Sequence, residues 1–265
     1  MIDSKEGSAP LKHLIDAHGV GFSYAGKRVL KDFSLSILEG ERVALVGPNG
    51  CGKSTFLAML GGHVKPTQGE LVVRAKARTV HQADGLFPWF NVRENLALSM
   101  GAEALEAALS RADRLVDEKI SEWGLSDYSE LYPRELSESM QQEIELACAL
   151  SGRAKLLLLD EPFAALDALS RQELQRDLTR TLNQDRARTG IRRTVVLVTH
   201  DVFEAVALCD RVLVLSSKPA RVIGEVATKD LEIGASIDDE LWDRRMERVR
   251  DVYRILGREI TSPLT

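Results

Sequence analysis

Apolar and polar positions in the first sixty residues change from strand spacing to helix spacing. Residues 29–37 alternate loosely, which is typical of a half-buried strand in an antiparallel layer. Residues 41–46 form a short apolar stretch that predicts another strand and leads directly into a glycine-rich turn. Helical spacing follows at residues 54–60. The pattern therefore predicts a strand, a loop and a helix in immediate succession.

The middle third of the chain is rich in alanine, leucine and glutamate, with apolar residues every three or four positions. This spacing predicts helices over residues 91–98, 102–117, 118–123 and 138–150. A strand is predicted over residues 78–81, before these helices. After them strands and helices alternate, with strands predicted over residues 156–160, 194–199 and 211–216 and helices over residues 170–183 and 202–208. We therefore expect an α/β fold with a parallel-sheet core, an antiparallel β subdomain and an inserted α-helical subdomain.

Residues 47–55 have the pattern of a phosphate-binding loop, GxxxxGK followed by Ser or Thr, between a predicted strand and a predicted helix. Glycine permits close backbone approach, and successive N–H groups at a helix N-terminus bind anions. We expect Lys53 to contact the β- and γ-phosphates, Ser54 to bind Mg²⁺ and Thr55 to reach the α-phosphate. The alternative, a chance glycine-rich turn, does not explain the strand and helix on either side. The loop consists of Gly47, Pro48, Asn49, Gly50, Cys51, Gly52, Lys53, Ser54 and Thr55.

Two acidic residues, Asp160 and Glu161, stand at the end of the apolar strand predicted over residues 156–160. A buried charge requires a partner, and Mg²⁺ with its phosphates provides one. We expect Asp160 to hold the ion and Glu161 to polarise the attacking water. The alternative is a strand that simply leaves the core into solvent, which the phosphate loop disfavours.

Composition restricts the possible functions of this chain of 265 residues. The formal net charge of −5 argues against a broad surface for nucleic acid. No apolar run approaches the roughly 20 residues that span a bilayer, and the polar first ten residues are unlike a secretory signal. Cys51, Cys148 and Cys209 lack the spacing of metal ligands and indicate cytosolic thiols.

Nearly the whole chain resembles the ATP-binding cassette (ABC) family. Residues 161–167, Glu-Pro-Phe-Ala-Ala-Leu-Asp, resemble its Walker B end and D-loop, and His200 matches its switch histidine. Gln82 matches the Q-loop glutamine, and Tyr24 precedes the first predicted strand, where the family has an aromatic residue that stacks on adenine. Taken singly, Tyr24 can be a surface aromatic, Gln82 a polar loop residue and His200 a structural histidine.

The resemblance implies that ATP and Mg²⁺ bind between two cassettes. Closure would then assemble Glu161, His200 and the water, with Gln82 sensing Mg²⁺ or that water and Asp167 at the dimer seam. Three segments are similar to ATPase subunits of nitrate, taurine and sulfonate importers: residues 86–89, 165–171 and 215–219. An importer implies permease subunits, a second ATPase subunit, indirectly a solute-binding protein, and a peripheral position on the cytoplasmic face of the membrane. Phe87, Trp89 and Phe90 would lie where the family receives a permease coupling helix, or would simply pack the helical subdomain.

The family signature, Leu-Ser-Gly-Gly, is altered here to Leu-Ser-Glu-Ser, so Ser137 remains but Glu138 and Ser139 replace glycines. Glu143 and Cys148 stand where the family usually has arginine. Glu138 would bring negative charge towards the partner's ATP. Two interpretations remain open: a heterodimer with one weakened site, or a homodimer in which Glu138 faces solvent.

Other functions compatible with the resemblance are a weakly hydrolysing or regulatory ABC subunit, a lipid-transport ATPase, or a soluble ABC ATPase that acts on DNA or ribosomes. The last usually carries two cassettes or a long coiled coil, and we expect no nucleic-acid partner. We expect an ATPase domain over residues 1–235, with its helical subdomain at about residues 87–150. A helical extension over residues 236–265 would include a charged amphipathic helix over residues 238–255.

Overall fold

The computed structural model describes residues 12–81, 85–109, 114–189, 192–231 and 239–261. The strands are β1 (His13–Tyr24), β2 (Lys27–Leu38), β3 (Arg42–Val46), β4 (Gln68–Val73), β5 (Ala77–Val80), β6 (Leu156–Asp160), β7 (Thr194–Val198), β8 (Arg211–Leu215) and β9 (Val222–Ala227). The α-helices are α1 (Lys53–Leu60), α2 (Val92–Met100), α3 (Ala102–Leu109), α4 (Arg114–Glu122), α5 (Glu138–Ser151), α6 (Ala168–Thr189), α7 (Val202–Leu208) and α8 (Asp239–Thr261). The predicted α/β fold class is confirmed.

The central sheet has six strands in the order β5-β6-β7-β3-β8-β9. The first five run parallel to one another, and β9 is antiparallel to β8. Strand β3 lies between two strands from much later in the chain, so the loops after β3, β6 and β7 meet at one edge. Ligands of open α/β sheets bind beyond the carboxyl ends of the strands, where the strand order reverses. The topology therefore assembles a site from distant loops.

Strand β6 is covered on both faces, which explains its unbroken run of leucines. Leu157 and Leu159 pack in a cluster with apolar residues of helices α2–α5. Leu156 and Leu158 point the other way and pack in the cluster that contains Phe56 of α1. Because both faces are buried, no alternation of polar residues is required along the strand.

A separate antiparallel sheet has the strand order β2-β1-β4 and packs against the central sheet. Tyr24 does precede the first predicted strand, which is β2, but it is itself the last residue of β1, a strand that was not predicted. Gly19 has a φ of 58°, and the register with β2 shifts around Gly19 and Gly21. These irregularities interrupt the alternation that would have predicted β1. The edge strand β4 has no fully buried residue and was also not predicted.

Helices α2–α5 lie between β5 and β6 in the chain. Helix α2 begins one residue later than predicted because Asn91 is its N-cap and forms a capping box with Glu94. The predicted boundary between residues 117 and 118 is wrong, since α4 runs through it with Val116 and Ile120 buried on one face. Residues 110–113, in the middle of the predicted helix over residues 102–117, lie outside the described ranges.

The long C-terminal helix α8 packs against α7, β8 and β9. Its buried side includes Leu241, Val249 and Val252. A Cβ at Gly224 of β9 would lie 2.9 Å from Cδ1 of Ile255, so strand and helix approach closely there. Within the described parts of the chain, we find no helix with the length and apolar character needed to cross a bilayer.

Candidate functional site

The loops after β3, β6 and β7 enclose a cavity of about 550 Å³ at the edge of the central sheet. Small-molecule sites commonly measure roughly 300–1,000 Å³. Predicted site residues that line the cavity are Tyr24, Asn49, Gly50, Gly52, Lys53, Ser54, Thr55, Asp160, Glu161 and His200. Val29, Ala164 and Lys218 also line it and were not predicted. Lys218 belongs to the segment 215–219. The sequence drew attention to this segment only because it is similar to importer ATPase subunits.

The phosphate loop depends on glycine at specific positions. Gly50 and Gly52 have φ values of 71° and 130°, a region that side chains disfavour. A Cβ at Gly52 would also lie 2.9 Å from Cγ1 of Val29, and one at Gly47 would lie 2.9 Å from the carbonyl oxygen of Leu215. The glycines therefore let the loop pack tightly at the N-terminus of α1, where backbone N–H groups attract anions.

The ammonium group of Lys53 folds back over the loop that precedes it. Its Nζ donates to the carbonyl oxygen of Gly47 at 2.8 Å and to that of Pro48 at 3.1 Å. These carbonyls fix the ammonium beside the cavity. Cys51 contributes only its backbone, because its side chain is 1% exposed and belongs to the apolar core. Burial raises the pKa of the Cys51 thiol, against an opposing effect of Lys53.

Ser54 and Asp160 meet at the cavity although they are far apart in the sequence. The hydroxyl of Ser54 donates to Oδ1 of Asp160 at 3.1 Å. Burial raises the pKa of Asp160, while the hydrogen bond from Ser54 opposes that shift. Mg²⁺ prefers oxygen ligands and usually binds to one or two protein ligands together with substrate phosphates and water. This pair of oxygens beside a phosphate loop fits such an ion. A self-sufficient cluster of three His, Cys, Asp or Glu ligands does not occur among the described residues.

Glu161 and His200 face each other across the ends of β6 and β7. Nδ1 of His200 lies 2.5 Å from Oε2 of Glu161. Glu161 has a φ of 52°, an uncommon left-handed conformation for a residue with a side chain. Its backbone N–H donates to the carbonyl oxygen of Val198 at 2.9 Å, which anchors this turn to the neighbouring strand. The strained turn directs a carboxylate into the cavity beside an imidazole.

Asp167 and Ser137 do not line the cavity. Asp167 accepts from the backbone N–H groups of Leu169 and Ser170 and from the Ser170 hydroxyl, which together lower the pKa of Asp167. Ser137 is the N-cap of α5 and accepts from the N–H of Met140 at 3.3 Å. Within one chain, both residues therefore have local capping roles.

Gln82 lies outside the described residues, so its predicted role has no structural counterpart here. The preceding residue, His81, is held by two buried side chains of α5. Its N–H donates to Oε1 of Glu145 at 2.9 Å, and its carbonyl oxygen accepts from Nε2 of Gln142 at 3.1 Å. The helix that begins after Ser137 thus fixes the chain next to Gln82.

Tyr24 contributes an exposed aromatic ring to the mouth of the cavity. The residue is 51% exposed, and its ring meets that of Phe22 edge-on at a centroid distance of 4.7 Å. This contact with Phe22 supports the Tyr24 ring. An exposed, supported ring beside a phosphate loop is a suitable platform for a nucleotide base.

The fold and the cavity define a P-loop nucleotide-binding domain of the ATP-binding cassette class. The chain belongs to the ABC transporter family, which its residues 30–164 match. A solved structure with the same fold is a dimeric ATP-binding cassette in a post-hydrolysis state with ADP and Pi. It is 27% identical, superposes with a TM-score of 0.65, and the match covers 81% of this chain and 98% of that one.

Two curated relatives from Synechococcus elongatus are similar to this chain. The nitrate import ATP-binding protein NrtC is 40% identical over 76% of this chain. The bicarbonate transport ATP-binding protein CmpC is 39% identical over 76% of this chain. The matched region covers 31% of each relative, so this chain corresponds to about a third of their length.

Proposed function

We propose that this chain is the nucleotide-binding subunit of an ABC importer and that it couples ATP hydrolysis to solute uptake through separate permease subunits. One observation carries the proposal. Phosphate-loop residues including Ser54, the acidic pair Asp160 and Glu161, and His200 come from three distant segments of the sequence and all line one cavity. Hydrolysis of a nucleoside triphosphate requires these three groups together.

The proposed binding mode starts from the phosphate loop. Lys53 and the amides at the N-terminus of α1 bind the β- and γ-phosphates, and Thr55 approaches the α-phosphate. Tyr24 stacks on the adenine base. Ser54 and Asp160 hold Mg²⁺, which when bound neutralises charge on the phosphates.

The proposed chemistry rests on the Glu161–His200 pair. Glu161 accepts a hydrogen bond from the attacking water and polarises it towards the γ-phosphorus. His200 holds the Glu161 carboxylate in position through the 2.5 Å contact between Nδ1 and Oε2. Gln82 would contact Mg²⁺ or the water. Ser137 and Asp167 would act across a dimer interface, since neither residue lines the cavity of its own chain.

The proposed solute is a small oxyanion such as nitrate, bicarbonate, a sulfonate or taurine. The names of NrtC and CmpC support this class. We propose that the chain lies on the cytoplasmic face of the cell membrane, held there by its permease. Phe87 is 37% exposed and Trp89 is 65% exposed, and their ring centroids are 5.5 Å apart. Exposed, paired aromatic residues are typical of protein interfaces. Phe87 and Trp89 would contact the permease here.

Uptake in the native host tests this proposal. Cells that lack the gene would be complemented with wild type, Trp89→Ala or Trp242→Ala, the last a matched control because Trp242 is also exposed on α8. We expect Trp89→Ala to lose uptake of labelled nitrate, bicarbonate or taurine and to lose the permease from affinity-purified membranes, while it retains MgATP binding. Full uptake of all these solutes in cells without the gene would contradict the importer proposal.

A second candidate function is that of one half of an asymmetric heterodimer. Glu138 is exposed in the first turn of α5, and Ser139 occupies the next position, with its Oγ 3.0 Å from Oγ of Ser137. A carboxylate there opposes the attraction of the helix N-terminus for a partner's phosphate. This chain's own cavity would then pair with a different cassette that has an unaltered signature.

The ATPase rate of the purified chain alone distinguishes the heterodimer from a homodimer. The heterodimer predicts slow ATPase that the double change Glu138→Gly and Ser139→Gly accelerates. Brisk, cooperative hydrolysis by wild type alone would favour the homodimer. An unchanged slow rate in the double variant would also contradict the heterodimer.

A further inference from the structure

The loop that carries Asp167 is held by a residue of the following helix. Nη2 of Arg171 donates to the carbonyl oxygen of Leu166 at 3.2 Å, and the Arg171 backbone N–H donates to the carbonyl oxygen of Asp167 at 2.9 Å. Arg171 therefore donates hydrogen bonds to two consecutive carbonyl oxygens of this loop. The side chain of Arg171 does not line the nucleotide cavity.

The segment that carries His200 is held in a similar way from α7. The hydroxyl of Thr199, the residue before His200, donates to Oε2 of Glu204 at 2.7 Å. The same hydroxyl accepts from the N–H of Asp201 at 3.0 Å. Thr199 is 1% exposed and Glu204 is 7% exposed, so the carboxylate of Glu204 is an internal group.

Arg171, which holds the loop carrying Asp167, lies close to Glu204, which holds the segment carrying His200. Nε of Arg171 lies 3.8 Å from Oε1 of Glu204, and Nη1 of Arg171 lies 3.9 Å from Oδ2 of Asp201. Nε2 of Gln175 donates to Oε1 of Glu204 at 3.2 Å. Because a buried carboxylate is costly without compensation, the approach of Arg171 stabilises Glu204 in place. A continuous chain of contacts therefore runs from Leu166 to Thr199.

Each end of this chain lies one residue before a proposed functional residue, Asp167 at one end and His200 at the other. We propose that Arg171 and Glu204 are positioning residues that couple the loop carrying Asp167 to the segment carrying His200. The inference rests on the proposed roles of Asp167 at the dimer interface and of His200 beside Glu161. Movement of the Asp167 loop when two cassettes meet then sets the position of the His200 imidazole.

Kinetics on the affinity-tagged chain, purified together with its co-purifying subunits, tests this coupling. Arg171→Met and Glu204→Gln keep the approximate size of each side chain and remove its charge. We expect kcat to fall about 10- to 100-fold in each, because small displacements of catalytic groups have effects of that order. The Kd for MgATP in the absence of turnover should change less than about threefold, since neither residue touches the cavity. Arg180→Met is the matched control, because Arg180 is an exposed arginine of α6 whose guanidinium donates to Asp177, three residues before it in the same helix.

The same changes in a His200→Ala background distinguish coupling from general damage. If Arg171 acts through His200, Arg171→Met should not lower the residual rate of His200→Ala further. A further loss of the same factor, a parallel loss of MgATP binding, or full activity of Arg171→Met would overturn the inference. Full activity of His200→Ala would overturn the proposed role of His200 and this inference with it. An impaired His200→Ala beside a fully active Arg171→Met overturns the coupling alone.

Discussion

Nδ1 of His200 lies 2.5 Å from Oε2 of Glu161, although 39 positions separate them in the sequence. The contact exists because β6 and β7 are parallel neighbours, so that their carboxyl ends deliver both residues to the same edge. Backbone strain at Glu161 directs its carboxylate towards this edge. Under the proposed function, the pair carries out hydrolysis and the phosphate loop binds the nucleotide, so the two roles can be tested separately.

Removal of the Glu161 charge should separate binding from hydrolysis. Glu161→Gln keeps the shape and a hydrogen bond to His200 but removes the base that polarises water. We expect kcat to fall at least about 100-fold, the lower end of general-base contributions, with MgATP affinity retained. Single-turnover phosphate release and equilibrium binding measure the two quantities. Normal hydrolysis by Glu161→Gln would show that another group is the base.

Lys53→Ala should weaken binding itself. The ammonium is held at the cavity by the Gly47 and Pro48 carbonyls, and its loss removes a charge-assisted contact with phosphate. Hydrogen bonds to charged groups contribute about 1.5–3 kcal/mol, which corresponds to a roughly 10- to 150-fold rise in Kd for MgATP. Isothermal titration calorimetry measures this rise. The control is Lys155→Ala, because the Lys155 side chain forms an exposed ion pair with Glu39 and does not line the cavity; an equal effect in both variants would contradict the assignment.

Base stacking on Tyr24 predicts a selective effect of ring removal. Tyr24→Ala should raise the Kd for MgATP about fivefold, the equivalent of about 1 kcal/mol, while Tyr24→Phe and Tyr24→Trp should bind like wild type. Tripolyphosphate has no base, so its affinity should not change in any of these variants. Equal weakening of ATP and tripolyphosphate in Tyr24→Ala would show that Tyr24 acts through the loop structure instead.

Local sequence patterns were sufficient for the glycine-rich loop and for the five parallel strands of the central sheet, because strong glycine and apolar patterns specify them. The antiparallel edge strand β9 was not predicted. The patterns also failed at β1, where glycines interrupt the alternation, and at the 117/118 boundary inside α4. Lys218 and the Arg171–Glu204 contact depend on tertiary packing of distant segments, which local spacing does not encode. The membership of Lys218 in the segment 215–219 was the only signal that the sequence offered.

We expect the negative charge of Glu143 on α5 to lower the stability of the folded protein. Burial raises its pKa above the ordinary value of 4.5, and Asp177 and Glu173 raise it further. Between 4.5 and the raised pKa, the folded state binds more protons than the unfolded state, so stability falls as the pH rises through that window. At pH values above the raised pKa, the ionised carboxylate therefore opposes folding. Glu143→Gln should raise the free energy of unfolding at pH 7 by up to about 1 kcal/mol, and Glu143→Arg should raise it further by attracting both acids.

Thermal unfolding at pH 7 and at pH 4 measures this effect. For a chain of this size, 1 kcal/mol corresponds to a rise in Tm of about 2–4 °C at pH 7. At pH 4 the gain of Glu143→Gln should largely disappear, because the carboxyl is then mostly protonated in both states. Glu106→Gln on the exposed surface of α3 is the matched control and should shift the Tm little at either pH. A gain that is the same at both pH values would mean that packing changes, and not the charge of Glu143, determine the stability of the variant.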